Sequence, residues 1–355
     1  MAEEQELKDH REEQELQIVL LLGLGPPPLF KFFPELLQKF KFLSPFEYPT
    51  TPIHQFLKFH AQSIEVMICM GGGRKESIPV NWEVLNSLPS LKCILNTGVG
   101  VNHIDLTECK QRGIIVCNAG NSYSEDAADF AVGLLLDVLR RISASNRYVR
   151  SGLWPLKGEY PLGHKVVPSL LIPFYVGGQR VGIVGLGSIG SEVAKRLDAF
   201  GCSIAYNSRR KKESILFPYY SNVCDLAANC DILILCCALT DETYHIINKD
   251  VLSALGKDGV IINVGRGALV DEKALVRFLV RGEIGGAGLD VFENEPTVPK
   301  ELLELDNVVL SPHKAVHTLG SMSALYELTI ANLEAFFSNK PLLSPVNYEQ
   351  EAITL

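Results

Sequence analysis

The run Val181-Gly-Ile-Val-Gly-Leu-Gly-Ser-Ile-Gly190 narrows what this chain can fold into more than any other stretch. Val181, Ile183 and Val184 lie in an apolar run too short and too β-branched for a helix, which reads as a buried parallel strand. Gly185, Gly187 and Gly190 then follow in the spacing G-x-G-x-x-G. Between a strand and a helix, the first glycine permits a tight turn and the second lets the backbone approach a pyrophosphate. The third lets the helix pack closely on the strand. That helix is expected from Ser191 to Phe200, with a second strand, Ser203-Ile-Ala-Tyr206, after it. Phosphate suits the N–H groups and positive dipole end of such a helix, so Gly185, Gly187, Ser188, Ile189 and Gly190 are candidate cofactor contacts. A purely structural glycine turn is the alternative; the flanking strands and helix argue for a dinucleotide.

The end of the second strand bears on which dinucleotide. An NAD-binding unit usually carries Asp or Glu there for the ribose 2′-OH. This chain reads Asn207-Ser-Arg-Arg-Lys-Lys212 instead, with no carboxylate to repel a 2′-phosphate. Ser208, Arg209 and Arg210 have the donors to bind one. A solvated basic loop is the other reading. The position of the run at the adenosine-ribose end favours NADPH, with NADH the weaker cofactor.

At 355 residues the chain is long enough for two domains with a core in each. A formal net charge of −8 argues against a general nucleic-acid or membrane-surface role. The nine cysteines are scattered without a C-x-x-C, several within apolar runs, as expected of reduced, buried thiols and no zinc site. Residues 1–15 are acidic and polar, expected as a disordered lead-in and lacking the apolar core of a signal peptide. No apolar stretch reaches the roughly 20 residues that span a bilayer. The chain reads Ala-Ile-Thr-Leu355 at its end rather than the peroxisomal S-K-L, so the cytoplasm is the expected compartment.

Upstream of the glycine loop, Gln17 to Leu24, Ile64 to Cys69, Cys93 to Leu95 and Ile114 to Cys117 read as strands. Pro26-Pro27-Pro28 breaks the first of these and Gly71-Gly72-Gly73 closes the second. Helices are expected at Pro34 to Phe40 and Trp82 to Leu88. A helix of about six turns is expected from Ser124 to Arg147, with Ser124 as N-cap and Glu125 and Asp126 in its first turn. The loop Gly152-Leu-Trp154-Pro155 follows, leaving an indole to pack or to line a cleft. Downstream, Asp231 to Leu235, Val260 to Asn263, Gly286 to Asp290 and Val308 to Leu310 read as strands ending in polar loops, where doubly wound sheets bind ligands. Thr243, Val264, Gly265, Arg266 and Asp290 in these loops join the candidate cofactor contacts. An amphipathic helix from Leu319 to Phe337 is expected to return to the first domain. The expected fold class is α/β, with two Rossmann-like doubly wound parallel-sheet domains and a cleft between them. The substrate domain would be discontinuous, 16–118 and 318–345, and the NAD(P)-binding domain would span 119–317.

Arg266, Glu295 and His313 each follow a strand of that second domain and are the candidate catalytic residues. Arg266, between Gly265 and Gly267, offers a fork for a substrate carboxylate. His313 can give a proton to a carbonyl oxygen as hydride reaches the carbon. Glu295 on the imidazole would fix its tautomer and favour its charged form. A 2-oxo acid needs a carboxylate anchor, a proton donor and a tuner for the donor. Taken singly, each residue also has a structural reading: a loop histidine after Pro312, a helix-capping arginine, a turn at Glu295-Pro296. His313 and His317 share the i, i+4 spacing of helical metal ligands, but the H-E-x-x-H pattern is absent and no metal is expected.

Gly185-x-Gly187-x-x-Gly190, Asn263-Val-Gly-Arg-Gly267, Asp290-Val-Phe-Glu-Asn-Glu-Pro296 and Ser311-Pro-His313 stand in the order seen in D-2-hydroxyacid dehydrogenases, which the chain resembles from about Ile18 to Asn347. Ser208-Arg209 and Pro161-Leu-Gly163 resemble the plant glyoxylate/hydroxypyruvate reductase and hydroxyphenylpyruvate reductase branch. The resemblance implies Arg266 at the substrate carboxylate together with Val99 and Gly100, Glu295 as partner of His313, and Asp290 on the nicotinamide amide. It also implies a homodimer. The implied activity is NADPH-preferring reduction of a small 2-oxo acid, hydroxypyruvate or glyoxylate, to the D-2-hydroxy acid. 4-Hydroxyphenylpyruvate is the alternative substrate, and a non-catalytic dinucleotide sensor is the alternative class. Two segments depart from the family pattern. Val167-Pro-Ser-Leu-Leu-Ile-Pro-Phe-Tyr-Val176 is an apolar insert ahead of the glycine-loop strand, expected to be either a tolerated loop or inactivating, and Lys314-Ala-Val316 follows the histidine atypically.

Overall fold

The structure is a computed structural model that describes residues 16–23, 36–69, 78–158, 160 and 176–347. The lead-in 1–15, the proline run at 26–28, the glycines 71–73, the motif at 161–163 and the insert apart from Val176 lie outside the described residues. The described chain divides into two compact units, residues up to 119 with 326–347, and 120–325.

In the first unit, strands β1 (Gln17–Leu22), β2 (Phe40–Leu43), β3 (Val66–Cys69), β4 (Cys93–Asn96) and β5 (Ile115–Cys117) form a parallel sheet in the order β2-β1-β3-β4-β5. All residues of β3 and β4 are buried, the pattern of strands covered on both faces. Helices α1 (Leu36–Lys39), α2 (Ile53–His60), α3 (Trp82–Asn86) and α4 (Leu106–Gln111) connect them. Phe56, Leu57, Leu85 and Cys109 pack with Met67, Ile94 and Val116 as one core. Strand β2 replaces the end of the expected 34–40 helix. It is a four-residue edge strand paired only with β1, and its alternating Phe40 and Phe42 favour pleated backbone.

The second unit holds β6 (Arg180–Val184), β7 (Ser203–Asn207), β8 (Ile232–Leu235), β9 (Val260–Asn263), β10 (Gly286–Leu289) and β11 (Val308–Leu310) in the order β11-β10-β9-β8-β6-β7. Every pairing is parallel, so this sheet too is doubly wound, with its switch point between β6 and β8. On one face lie α5 (Ser124–Arg140) and, after α6 (Ile142–Arg150) and α7 (Trp154–Lys157), α8 (Ser188–Ala199). The other face carries α9 (Val223–Ala228), α10 (Lys249–Leu255) and α11 (Glu272–Arg281). Helix α5 fits closely because β10 carries glycines beneath it. An added Cβ on Gly288 would stand 3.0 Å from Leu134 Cβ, and one on Gly286 2.8 Å from a Val138 methyl. A short α12 (Lys300–Leu303) precedes β11, and α13 (Leu319–Phe337) follows it.

The expected single helix over 124–147 is two helices. Arg141 takes the left-handed conformation at φ 55°, its N–H bonds Asp137 O, and Asp137 Oδ1 accepts the Ser143 N–H at 2.7 Å. A carboxylate near the end of one helix thus caps the start of the next. Ser124 is not the expected N-cap either. Tyr123 takes that place without a side-chain bond, while Asp126 accepts the hydroxyls of Thr318 (2.6 Å) and Ser321. The second crossing between units falls between Leu325 and Tyr326, inside α13, rather than ahead of the helix at 318 as expected.

Candidate active site

The glycine loop leaves β6 at the switch point. Gly185 has φ +94° and lies against the loop after β8, where an added Cβ would stand 2.5 Å from the Cys237 backbone. Gly190 faces the Gly185 carbonyl, with no room for a side chain. Gly187 differs: an added Cβ there would meet nothing within 4 Å. Helix α8 begins at Ser188, three residues before the expected start, and no side chain caps it. Ser188 is exposed and Ile189 half-buried. An open glycine at an uncapped helix N-terminus fits an approaching phosphate, and a nicotinamide dinucleotide carries a pyrophosphate.

Beyond β7, Arg209 and Arg210 are exposed. The Ser208 hydroxyl donates to Arg210 O at 2.7 Å, and Lys212 N–H donates to the buried Tyr206 hydroxyl at 2.9 Å. Asn207 gives its amide to Tyr220 O and Ser221 O, and residues 208–212 present cations with no carboxylate side chain among them. After β8, the Thr243 hydroxyl accepts Thr240 N–H and donates to Ala238 O, both at 2.7 Å, bonds internal to its loop. Asn263, the last residue of β9, is buried; its Oδ1 accepts Gly265 N–H and its Nδ2 donates to Arg266 O, pinning the backbone from Val264 to Arg266. The sequence marks Asn263 only as the first residue of the Asn263-Val-Gly-Arg-Gly267 motif and gives it no role.

The structure brings Glu295 and His313 together. His313 Nδ1 lies 2.9 Å from Glu295 Oε2, and because a carboxylate only accepts, Nδ1 carries the proton of that bond. Glu295 Oε1 accepts Phe292 N–H at 3.1 Å, which orients the carboxylate from its own loop. His313 itself has φ 55° and lies ahead of the helix Leu319–Phe337. Asp290, fully buried, holds that backbone. Its carbonyl accepts His313 N–H at 2.8 Å, and its two carboxylate oxygens accept the N–H groups of Lys314 and Ala315 at 2.8 and 2.9 Å. The residue expected on the nicotinamide amide organises the histidine loop.

Arg266 donates to Gly265 O at 2.8 Å. The protein packed around its half-buried side chain pulls its pKa down from the usual value, and the Glu295 carboxylate pulls it back up. Gly267, next in the chain, is buried against the Phe292 carbonyl, so the arginine loop and the glutamate loop touch through backbone. Val99 and Gly100 belong to the first unit, in the loop after β4. Asn118 holds Val99 O at 2.9 Å, and Asn96 holds Gly98 O and Gly100 O at 2.8 and 3.1 Å. Among the described residues no group of three or more His, Cys, Asp or Glu can hold a metal ion, and no helix is long and apolar enough to cross a membrane.

Residues 132–315 match the family described as the NAD binding domain of D-isomer specific 2-hydroxyacid dehydrogenase. Over 339 residues the chain is 53% identical to a glyoxylate/hydroxypyruvate reductase of Arabidopsis thaliana, covering 95% of this chain and 99% of that protein. It is 44% identical over 313 residues to a hydroxyphenylpyruvate reductase of Plectranthus scutellarioides, covering 88% and 94%. The fold is similar, at TM-score 0.80 and 35% identity, to the crystal structure of an NADPH-dependent glyoxylate/hydroxypyruvate reductase of Sinorhizobium meliloti in complex with NADP and malonate, covering 96% and 99%. The chain thus belongs to the D-isomer specific 2-hydroxyacid dehydrogenases, an oxidoreductase family that uses a nicotinamide cofactor.

Proposed function

We propose that this protein reduces hydroxypyruvate and glyoxylate to D-2-hydroxy acids and prefers NADPH to NADH. The observation that carries the reading is the 2.9 Å His313–Glu295 bond, made between loops at strand ends of the unit that also bears the glycine loop. The 53% identical Arabidopsis reductase supports the substrate class. Ser208, Arg209 and Arg210, without a carboxylate beside them, support the 2′-phosphate.

When bound, the nicotinamide supplies hydride to the carbonyl carbon. Gly185, Gly187, Ser188, Ile189 and Gly190 would hold its pyrophosphate, with Thr243, Val264, Gly265 and Asp290 along the remainder. Arg266 would anchor the substrate carboxylate with backbone of Val99 and Gly100, which belong to the unit formed by residues up to 119 with 326–347. His313, its Nδ1–H held by Glu295, would give the proton on Nε2 to the carbonyl oxygen, and take one back in the oxidation. A cytoplasmic location, suggested by nine free cysteines, and a homodimer, suggested by the family resemblance, complete the proposal.

Reduction of 4-hydroxyphenylpyruvate is the second reading, favoured by the 44% identity to the Plectranthus enzyme. Initial rates of reduced-cofactor oxidation with hydroxypyruvate, glyoxylate and 4-hydroxyphenylpyruvate decide between them. Faster turnover of hydroxypyruvate with NADPH than with NADH is expected, and Arg209→Ala is expected to weaken NADPH about tenfold or more while leaving NADH little changed. No turnover of any 2-oxo acid by folded protein would leave the dinucleotide sensor standing. An equal effect of Arg209→Ala on both cofactors would remove the phosphate assignment.

A further inference from the structure

The loop after β10 carries two glutamates two residues apart, and each meets a histidine. Glu295 takes His313; Glu293 Oε1 lies 2.9 Å from Nε2 of His245, a residue in the loop after β8. Since the carboxylate only accepts, His245 Nε2–H is the donor. The Tyr244 hydroxyl reaches the same oxygen at 3.4 Å, and the Tyr244 ring stacks on the His245 ring at 3.9 Å and 18°. The Glu293 backbone N–H donates to Glu272 Oε2 at 3.1 Å, at the start of α11. His245 N–H in turn donates to Ala268 O at 2.9 Å, two residues past Arg266. One histidine therefore ties together the loops after β8, β9 and β10, the last two bearing Arg266 and Glu295.

Its backbone is costly to keep. His245 has φ 50°, the left-handed region in which glycine or asparagine is the easier residue. The imidazole accounts for a histidine there, because it supplies the donor that the Glu293 carboxylate takes. An exposed ion pair alone adds little. This pair is half-buried, at side-chain exposures of 29% and 21%, and it closes a ring of contacts through three loops.

We infer that His245 and Glu293 are positioning residues that set the Glu295 carboxylate on His313, an inference that rests on the proposed acid/base role of His313. A shift of about 1 Å in Glu295 stretches its bond beyond hydrogen-bonding range and releases the His313 tautomer. Misplacement on that scale costs on the order of 10²-fold in rate.

The test uses full-length protein and two readouts. Proton NMR follows the downfield Nδ1–H resonance of His313, identified by its loss in His313→Gln, and steady-state kinetics gives kcat and KM. In His245→Ala and Glu293→Ala the resonance should vanish, and kcat should fall about tenfold or more, with KM for NADPH within about twofold. His245→Gln bears the same backbone strain but keeps a donor near the Nε2 position, so both signals should largely return. The double variant should be no worse than either single one. If His245→Ala does not fold, Glu293→Gln, with a weaker acceptor, should show a partial loss of both signals. Unchanged resonance and kcat in the alanine variants, Gln as impaired as Ala at 245, or no such resonance in the wild type would each overturn the inference. An inactive wild type would sink the reductase reading instead, and the resonance would still decide the positioning role.

Discussion

His313 is held in a left-handed backbone conformation by a buried aspartate that binds three consecutive N–H groups, those of His313, Lys314 and Ala315. The imidazole is thereby aimed by the protein's own backbone, with Glu295 fixing which nitrogen carries the proton. His313→Ala removes the proton donor without touching the glycine loop. It is expected to lower kcat by about 10²–10⁴-fold while NADPH binding, read by fluorescence titration, stays unchanged. A kcat within twofold of wild type would take His313 out of the acid/base role. Arg266, Glu295 and His313 were legible as candidates because each stands after an apolar run, flanked by Gly or Pro. Asp290's hold on the next strand's loop was not legible, since its partners are main-chain atoms 23 to 25 positions later and any residue type supplies them. His245 lay two residues beyond the last position singled out in its loop, and the bond to Glu293 joins residues 48 apart with no motif between them.

Among the elements, the parallel strands were the most legible, because burial on both faces leaves near-continuous apolar runs such as Ile232–Leu235 and Val260–Asn263. The edge strand β2 and the break at Arg141 were not, for a shared reason. Each depends on a partner outside its own local pattern, β1 for the strand and Asp137 for the break. Where two loops are fitted by backbone contact, one methyl group is a sharp probe. In Gly267→Ala the new Cβ would overlap the Phe292 carbonyl, so the turn Gly267–Leu269 and the 292–296 loop must separate. A loss of roughly 1–3 kcal/mol in urea unfolding is expected, together with a fall in kcat. A variant with wild-type midpoint and turnover would mean that the loops yield without cost.

At the scale of the molecule, each unit has its own sheet and its own core, and the family match at 132–315 lies within the second unit. Cofactor at a hundred times its Kd stabilises whatever it binds by about 2.7 kcal/mol. Hydrogen exchange is therefore expected to show NADPH protecting peptides of β6 to β9 more than those of β1 to β5. Equal protection across both sheets would refute a binding site confined to the second unit. The first unit is closed by residues far along the chain. Val346 N–H donates to Val116 O at 2.7 Å, and the Asn332 side chain takes Leu343 N–H and reaches Ser344. These contacts carry a consequence for synthesis on the ribosome. Between Ala119 and Tyr326 some 200 residues must be made, which at 5–20 residues per second takes about 10–40 s. Throughout that time β5 waits without the chain that completes it, and by its end the whole of the second unit has been made. The part read first is finished last, and a nascent-chain chaperone would find its apolar surface on β5.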